Sequence, residues 1–218
     1  MRRQRFRDRV DAGQRLAELV AEVVDERDVL VVGLPRGGVP VAAQVALRLH
    51  AELDAIIVRK VGVPRHEELA MGAVAADVTT LNRDLISRLR IDQADVGRAV
   101  ELATREMNLN ETTFRRGRPA VRAAGRTVVV VDDGLATGAT MTAAVGVLTA
   151  HSPRRIIVAV PVAAPDSLQR LSEVAETVCV MTPDSFTAVG SWYDDFSPTT
   201  NDEVVRLLAE RPDLPLDR

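Results

Sequence analysis

The sequence predicts a doubly wound α/β fold with a mostly parallel central sheet. Three observations support this prediction: short, almost wholly apolar runs of strand length recur along the chain, amphipathic helix patterns separate them, and glycine-rich turns follow two of them. Strands that are apolar at nearly every position are typical of a sheet covered by helices on both faces. The 218 residues suit one domain, residues 1–218, and are enough to bury a core.

The first part of the chain predicts a helix and then a βαβ unit. The opening helix, over 11–24, has apolar residues at helical spacing. These residues are Leu16, Leu19, Val20, Val23 and Val24. The apolar run 29–33 has strand length and ends in a glycine-rich turn, and a helix over 39–50 follows it. The apolar run 53–58 predicts a second buried strand, which completes the unit.

The alternation is interrupted once and then resumes. Residues 62–82 are only moderately apolar and predict a loop or small hairpin, and a long polar helix is expected over 92–116. The spacing of Thr200 and Glu203 is that of a capping box, which predicts the start of a last helix. The remaining predicted elements are strand 127–131, helix 138–150, strand 155–160, helix 166–175, strand 176–181 and helix 201–210.

Composition excludes several classes of protein. The formal net charge of −3 argues against a general polyanion binder, so no nucleic-acid partner is expected, although residues 1–9 hold five arginines. No apolar run approaches the roughly 18 residues that a membrane span needs, so no membrane partner is expected. The single cysteine, Cys179, excludes an internal disulfide and a cysteine-built zinc site, which suits the cytoplasm.

Lysine is almost absent. Of the 28 basic residues, Lys60 is the single lysine and the others are arginine. Arginine can replace lysine on most solvated faces, but the exchange fails where a compact ammonium on a flexible stem is needed. Lys60 is therefore either a lysine present by drift or a functional cation, and its position in the fold distinguishes between these explanations.

Two adjacent carboxylates, Asp132 and Asp133, follow the apolar strand 127–131. In doubly wound sheets, ligands bind beyond the carboxyl ends of the strands. The small residues that come next, in GLATGAT, let backbone N–H groups approach an anion, and the following helix adds the partial positive charge of its N-terminus. Carboxylates beside an anion site suit a ligand with both hydroxyls and a phosphate, such as a ribose 5-phosphate. Neither the Walker spacing nor a GxGxxG turn occurs.

This segment resembles the phosphoribosyl-diphosphate signature of type I phosphoribosyltransferases: four apolar residues, two acids, two spacers and then ATGAT. The resemblance implies that family's fold, and that Asp132 and Asp133 hold the ribose hydroxyls and serve Mg²⁺ through the ligand or water. The 5-phosphate would be wrapped by Ala136, Thr137, Gly138, Ala139 and Thr140. Gly134 departs from the commonest pattern, which has a branched apolar residue, so a looser turn is expected.

Two more segments match the same family. By itself LPRGGVP is a tight strand-to-helix turn, but in the family the turn at this place binds pyrophosphate through backbone amides, often around a cis peptide. The matching residues are Arg36, Gly37 and Gly38. In VRKVG, Arg59 and Lys60 end the predicted second strand, where the family places a basic residue that reaches the pyrophosphate. The residues with implied catalytic roles are Lys60, Arg36 and Asp133.

A mobile lid follows this basic residue in the family, which makes 62–82 the candidate lid. Arg65, His66 and Glu67 would lie near its tip, although a lone histidine there is more typical of a solvated loop. From FRDRVDAG to AVGSWYDDF, nearly the whole chain is similar to a group of predicted bacterial phosphoribosyltransferases of unassigned acceptor.

Aromatic residues cluster near the C-terminus, in PDSFTAVGSWYDDF. This cluster is either a small satellite core or, by resemblance to hypoxanthine-guanine phosphoribosyltransferases, a hood over 182–200 that stacks on the acceptor. The implied acceptor residues are Phe186, Val189, Trp192 and Asp195, with Asp194 as an alternative for the last. Ala136 replaces the loop aspartate that serves purine N7 in those enzymes, and their base-binding lysine has no counterpart here, so the acceptor stays open.

The resemblance predicts a Mg²⁺-dependent transfer of a phosphoribosyl group from phosphoribosyl diphosphate to a nitrogen nucleophile, with release of pyrophosphate. The alternative is a regulator that senses phosphoribosyl diphosphate or a nucleotide without catalysis. A hydrolase or dehydrogenase is disfavoured because no GxSxG elbow or dinucleotide turn occurs. A homodimer is expected by analogy with the fold family.

Overall fold

The computed structural model describes residues 5–64, 66–75 and 78–210, which form eight strands and seven α-helices. The strands are β1 (Val29–Gly33), β2 (Glu52–Ala55), β3 (Arg59–Val63), β4 (His66–Val74), β5 (Thr79–Leu81), β6 (Thr127–Val131), β7 (Arg155–Val162) and β8 (Glu176–Met181). The helices are α1 (Arg9–Val23), α2 (Gly38–Leu49), α3 (Arg83–Arg88), α4 (Gln93–Arg115), α5 (Ala139–Ala150), α6 (Pro165–Ser172) and α7 (Asn201–Ala209). A short 3-10 helix, Val189–Trp192, precedes α7.

Five parallel strands form the central sheet, in the order β2-β1-β6-β7-β8. Every residue of β1 and β6 is buried, as their near-continuous apolar sequences predict. These two strands are neighbours, and their register pairs Gly33 with Val131. Because both strands end at the same level, the turns that follow them lie side by side.

Helices cover both faces of this sheet, which confirms the doubly wound fold. Successive strand residues point to opposite faces. Leu30 and Val128 pack in one cluster with residues of α5 and α6. Val31 and Val129 pack in another with residues of α1 and α2. The chain adds β2 on one side of β1, and it adds β7 and β8 on the opposite side, beyond β6. The order of connection therefore reverses between β1 and β6, and doubly wound sheets bind their ligands at such a position.

A second, antiparallel sheet is formed by β3, β4 and β5. Its strands occupy the stretch in which a hairpin was expected, but the sheet begins earlier. The prediction of one strand over 53–58 is wrong, because β2 ends at Ala55 and both Arg59 and Lys60 belong to β3. The apolar run conceals this break because Ile56 and Ile57 are both buried beyond the end of β2, in two different hydrophobic clusters.

Capping residues define the ends of the polar helices. Asp92 caps α4 by accepting the Ala94 N–H. Thr200 accepts the Glu203 N–H (3.1 Å), as the capping-box spacing predicted. The short helix α3 was not predicted, although its N-cap Asn82 was a sequence signal for it. No helix in the described ranges is long and apolar enough to span a membrane.

The N-terminal segment and the C-terminal hood form one small structural unit. Phe6 pairs with Tyr193 in a parallel bridge, and the backbone N–H groups of Asp194 and Asp195 donate to residues 6 and 7. The Phe6 and Tyr193 rings pack in a buried cluster that also contains Trp192. Residues 5–7, which belong to the arginine-rich N-terminal segment without a predicted role, therefore pack against the hood.

Candidate active site

Two turns meet at the carboxyl end of the central sheet. Leu34 donates its backbone N–H to the Val131 carbonyl (2.9 Å), which ties the turn after β1 to the end of β6. The peptide bond between Pro35 and Arg36 is cis. A Cβ on Gly38 would lie 2.6 Å from the Val131 carbonyl oxygen and 2.9 Å from the Cα of Asp132. Only glycine therefore allows this turn to pack so closely against the acidic pair.

Asp132 and Asp133 lie directly after β6. Oδ1 of Asp132 accepts the backbone N–H of Asp133 (2.9 Å). Burial raises the pKa of Asp132 well above its usual range, and the charge of Asp133 raises it further. Burial also raises the pKa of Asp133, although the nearby Arg9 opposes this effect. Two desolvated carboxylates this close together are stabilised by hydroxyl donors or by a cation, which are what a metal-bound ribose ligand supplies.

An arginine that no motif had indicated contacts this pair. The Arg9 guanidinium, at the start of α1, lies 2.9 Å (Nε) and 2.8 Å (Nη2) from the same oxygen of Asp133. Both side chains are nearly buried, at 11% and 15% exposure. The sequence contained only a weak signal for this contact, namely the FRDR segment near the start of the chain. Arg9 is the functional candidate that sequence reasoning missed.

The loop predicted to hold the 5-phosphate runs from Gly134 to the start of α5. It is anchored at its middle, because Leu135 donates to the Val162 carbonyl (2.8 Å) and Ser167 Oγ donates to the Ala136 carbonyl (2.6 Å). Gly138 has a φ of +76°, which favours glycine, and it leads directly into α5. The loop thus presents backbone N–H groups and a helix N-terminus beside the acidic pair, an arrangement suited to a phosphate group.

A cleft of about 460 Å³ gathers the predicted basic residues. Arg36, Arg59 and Lys60 all line it. Its other polar lining residues are Asn110, Thr140 and Asn201. Arg59 also lies 3.9 Å from Glu106, whereas Lys60 is exposed and forms no ion pair with the described residues. The chain's single lysine therefore stands in a cleft rich in cations and amides, which favours the functional explanation for its retention.

Alanine substitutions at the two glycines of this turn, Gly37 and Gly38, should have different effects. A Cβ on Gly37 would lie 2.0 Å from Oδ2 of Asp133, a side-chain atom that can shift if its contact with Arg9 is lost, whereas a Cβ on Gly38 would meet backbone. We expect Gly38→Ala to destabilise the fold by about 1–3 kcal/mol, as overpacking does. Gly37→Ala should instead displace Asp133 and weaken ligand binding, with a smaller loss of stability. Denaturant unfolding and ligand titration of both variants test this, and equal stability losses would contradict it.

The hood places its predicted acceptor residues in different environments. Phe186 and Val189 are half-buried, and Val189 packs against Gly134, where a Cβ would come within 2.4 Å of its side chain. Val189 thus fills the space that a branched residue at position 134 would occupy, and the expected loosening of this turn stays a prediction. Trp192 is only 6% exposed and lies in the hydrophobic cluster. Its indole therefore packs inside this cluster and is not exposed for stacking on a ligand.

The two hood acids have local partners. Asp195 accepts both the backbone N–H (2.9 Å) and the hydroxyl (2.6 Å) of Ser197, and these hydrogen bonds lower its pKa. Asp194 forms an ion pair with Arg5 (3.5 Å). Both carboxylates are exposed, so Asp195 shapes its own loop and remains accessible to a ligand.

The acidic pair suits a metal ion that is shared with a ligand. In the described part of the chain, no three His, Cys, Asp or Glu side chains cluster to hold a metal by themselves. One oxygen of each carboxylate, Asp132 Oδ2 and Asp133 Oδ1, accepts no hydrogen bond there. Magnesium is commonly held by one or two carboxylates together with waters and substrate phosphates. These residues therefore fit Mg²⁺ bound through the ligand.

The candidate lid, 62–82, covers the end of β3 and the whole of β4 and β5. His66 is exposed at the beginning of β4, and Arg65 lies outside the described residues. Closure of this segment over the site stays a prediction.

A larger cavity of about 690 Å³ lies beside the end of α4 and the loop 117–123. It contains none of the predicted site residues.

Comparisons with known proteins show which family the chain belongs to. The family description "Phosphoribosyl transferase domain" matches residues 7–195. A Mycobacterium tuberculosis H37Rv protein named "Putative phosphoribosyl transferase Rv0571c" is 44% identical over 205 residues, which are 93% of this chain and 46% of that protein. The chain therefore spans about half the length of the curated relatives it matches.

Solved structures show the same fold. The crystal structure of TT1426 from Thermus thermophilus is 44% identical with a TM-score of 0.88, over 94% of this chain and 97% of that one. The AQ2163 protein from Aquifex aeolicus is 15% identical with a TM-score of 0.51, over 84% and 76% of the two chains. The second likeness is one of fold alone.

Proposed function

The chain belongs to the phosphoribosyltransferase family, and from this premise we propose that it transfers a 5-phosphoribosyl group from phosphoribosyl diphosphate to a nitrogen nucleophile. Pyrophosphate would be released, and Mg²⁺ would be required. The acceptor would be a nucleobase or a related amine.

One observation supports this proposal more than any other. The turn after β1 contributes Arg36 to the cationic cleft and, through Gly37, contacts Asp133 of the acidic pair. Thr140, from the loop that leads into α5, lines the same cleft. A ligand with two ribose hydroxyls, a 5-phosphate and a pyrophosphate has the complementary groups, in one molecule.

The proposed mechanism is mainly positioning and electrostatic stabilisation. The free oxygens of Asp132 and Asp133 would accept the ribose hydroxyls, and residues 136–140 would hold the 5-phosphate. As the bond from C1 to the pyrophosphate oxygen breaks and the bond to the acceptor nitrogen forms, negative charge grows on the pyrophosphate. Arg36 and Lys60 would stabilise that charge. Bound Mg²⁺ would neutralise a further part of it.

The acceptor side is supported by fewer observations. We propose that Phe186, Val189 and Asp195 border the acceptor, and that the candidate lid, 62–82, closes over the site to exclude water. Because Ala136 stands where purine-salvage enzymes have an aspartate, a sensor that binds phosphoribosyl diphosphate without transfer is the second candidate.

Two further expectations stay predictions. Cys179 suits a reducing compartment such as the cytoplasm, and burial raises the pKa of its thiol to about 11. A homodimer is expected from the fold family alone.

Calorimetric titration with phosphoribosyl diphosphate, with and without Mg²⁺, tests the proposal. We expect binding that strengthens at least about tenfold with Mg²⁺, because the metal neutralises charge on both the ligand and the acidic pair. A screen of nucleobases and amines for released pyrophosphate then separates the two candidates. Binding without release under any acceptor would favour the sensor, and no binding in either condition would remove both.

A further inference from the structure

The position of Arg9 gives the N-terminal segment a role in the site. We propose that Arg9 is a positioning residue of the ribose-binding carboxylates: it holds one oxygen of Asp133 so that the other faces the ligand, and it ties that carboxylate to the C-terminal hood. The side chain does not need to contact the ligand for this role. The proposal rests on the function proposed above.

Two nitrogens of the Arg9 guanidinium contact the same oxygen of Asp133. Nε and Nη2 converge on Oδ2 of Asp133, at 2.9 and 2.8 Å. Oδ1 accepts no hydrogen bond from the described residues and is the oxygen left for a ribose hydroxyl. Hydrogen bonds between a guanidinium and a carboxylate are short and strong, so they hold the carboxylate in one orientation.

The same guanidinium is held from the hood. Nη1 donates to the Ser197 carbonyl (2.8 Å), and the Phe196 ring centroid lies 4.1 Å from the guanidinium carbon, a cation–π contact. Phe196 packs against Tyr193 with ring centroids 5.0 Å apart. Tyr193 in turn donates its hydroxyl to the backbone carbonyl of Asp133 (2.5 Å). The hood therefore holds both the side chain and the backbone of Asp133.

The turn after β1 also packs against Asp133 and Arg9. A Cβ on Gly37 would lie 2.0 Å from Oδ2 of Asp133 and 3.1 Å from Nε of Arg9, so the turn, the carboxylate and the guanidinium are in close packing. Arg9 also places one positive charge beside two carboxylates. It thereby reduces their mutual repulsion and lets both stand next to a ligand that carries several negative charges.

Arg9→Met and Arg9→Lys test this role by titration with phosphoribosyl diphosphate and Mg²⁺. We expect Arg9→Met to weaken binding about 30-fold, the scale of one lost charge-assisted hydrogen bond. Lysine keeps the charge but not the two converging donors, so Arg9→Lys should recover part of the loss. Arg7→Met is the control, because Arg7 is a neighbouring arginine with a 74% exposed side chain that pairs with Asp11. Its binding should stay within about twofold of wild type.

A double-mutant cycle separates positioning from a structural role. If Arg9 acts through Asp133, adding Arg9→Met to Asp133→Asn should weaken binding by less than about threefold beyond Asp133→Asn alone. A residue with a purely structural role would lower the melting temperature while the folded variant bound as wild type does. That outcome, or tighter binding by Arg9→Met, would overturn the proposal. Failure of the wild-type chain to bind would instead overturn the proposed function.

Discussion

Replacing Asp133 with asparagine and Lys60 with alanine in one chain should abolish measurable binding of phosphoribosyl diphosphate and leave the fold intact. Each substitution removes one charge-assisted contact, worth about 1.5–3 kcal/mol. Together they should weaken binding by at least about 100-fold. The fold should survive because Lys60 is exposed and because an asparagine oxygen can still accept the hydrogen bonds of Arg9.

Calorimetry measures the loss of binding, and thermal unfolding checks the fold. The matched control is Asp25→Asn with Arg27→Ala, which changes the same two charges at positions just after α1, outside the site. It should bind as the wild type does. Wild-type affinity in the Asp133–Lys60 variant would show that the ligand binds elsewhere, even if the chain is a transferase.

Asp132→Asn should stabilise the ligand-free protein at neutral pH while weakening ligand binding. Burial and the charge of Asp133 raise the pKa of Asp132 in the folded chain. The folded state therefore binds protons more tightly than the unfolded state, and stability falls as the pH rises from the unfolded pKa to the folded one. Asparagine does not titrate, so the variant should escape this loss. A melting temperature higher by about 2–4 °C corresponds to roughly 1 kcal/mol in a chain of this length.

Melting temperatures measured without metal at about pH 7.5 and near pH 4 give the test, because the lower value lies close to the ordinary pKa of an aspartate. The increase in melting temperature caused by Asp132→Asn should be smaller near pH 4, where the wild-type carboxyl is protonated. Saturating ligand should reverse the order, since a ligand at about 100 times its Kd adds about 2.7 kcal/mol to a protein that binds it. Asp25→Asn, just after α1, should show neither effect. An equal increase in melting temperature at both pH values would mean that the burial of a charged pair does not cause the stabilisation.

Much of the fold could be predicted because the relevant information is local. The strands β1 and β6 were predicted with their observed bounds, since each is a five-residue apolar run that ends at a turn. The end of β2 could not be predicted, because burial continues through Ile56 and Ile57 after the strand has ended. Apolar sequence reports burial, and here burial and strand pairing end at different residues.

The candidate site, like the fold, could be predicted only in part from the sequence. Small residues and acids at strand ends placed the turn 34–38 and the pair Asp132–Asp133 correctly relative to the sheet. The role of Trp192 could not be predicted in this way, since an aromatic residue in a cluster has the same sequence signature whether it faces a ligand or the core. The structure buries it, and Val189 instead fills the space beside Gly134.

The sequence by itself determined the parallel sheet, the glycine-rich turn after β1 and the acidic pair after β6, because hydrophobic periodicity and turn chemistry depend on residues within a few positions of one another. Only the tertiary structure decided which side chains meet there. Arg9 and Asp133 lie 124 positions apart, and their contact depends on the path of the whole chain between them. The same path brings the hood to Arg9, where Ser197 and Phe196 hold the guanidinium that orients Asp133.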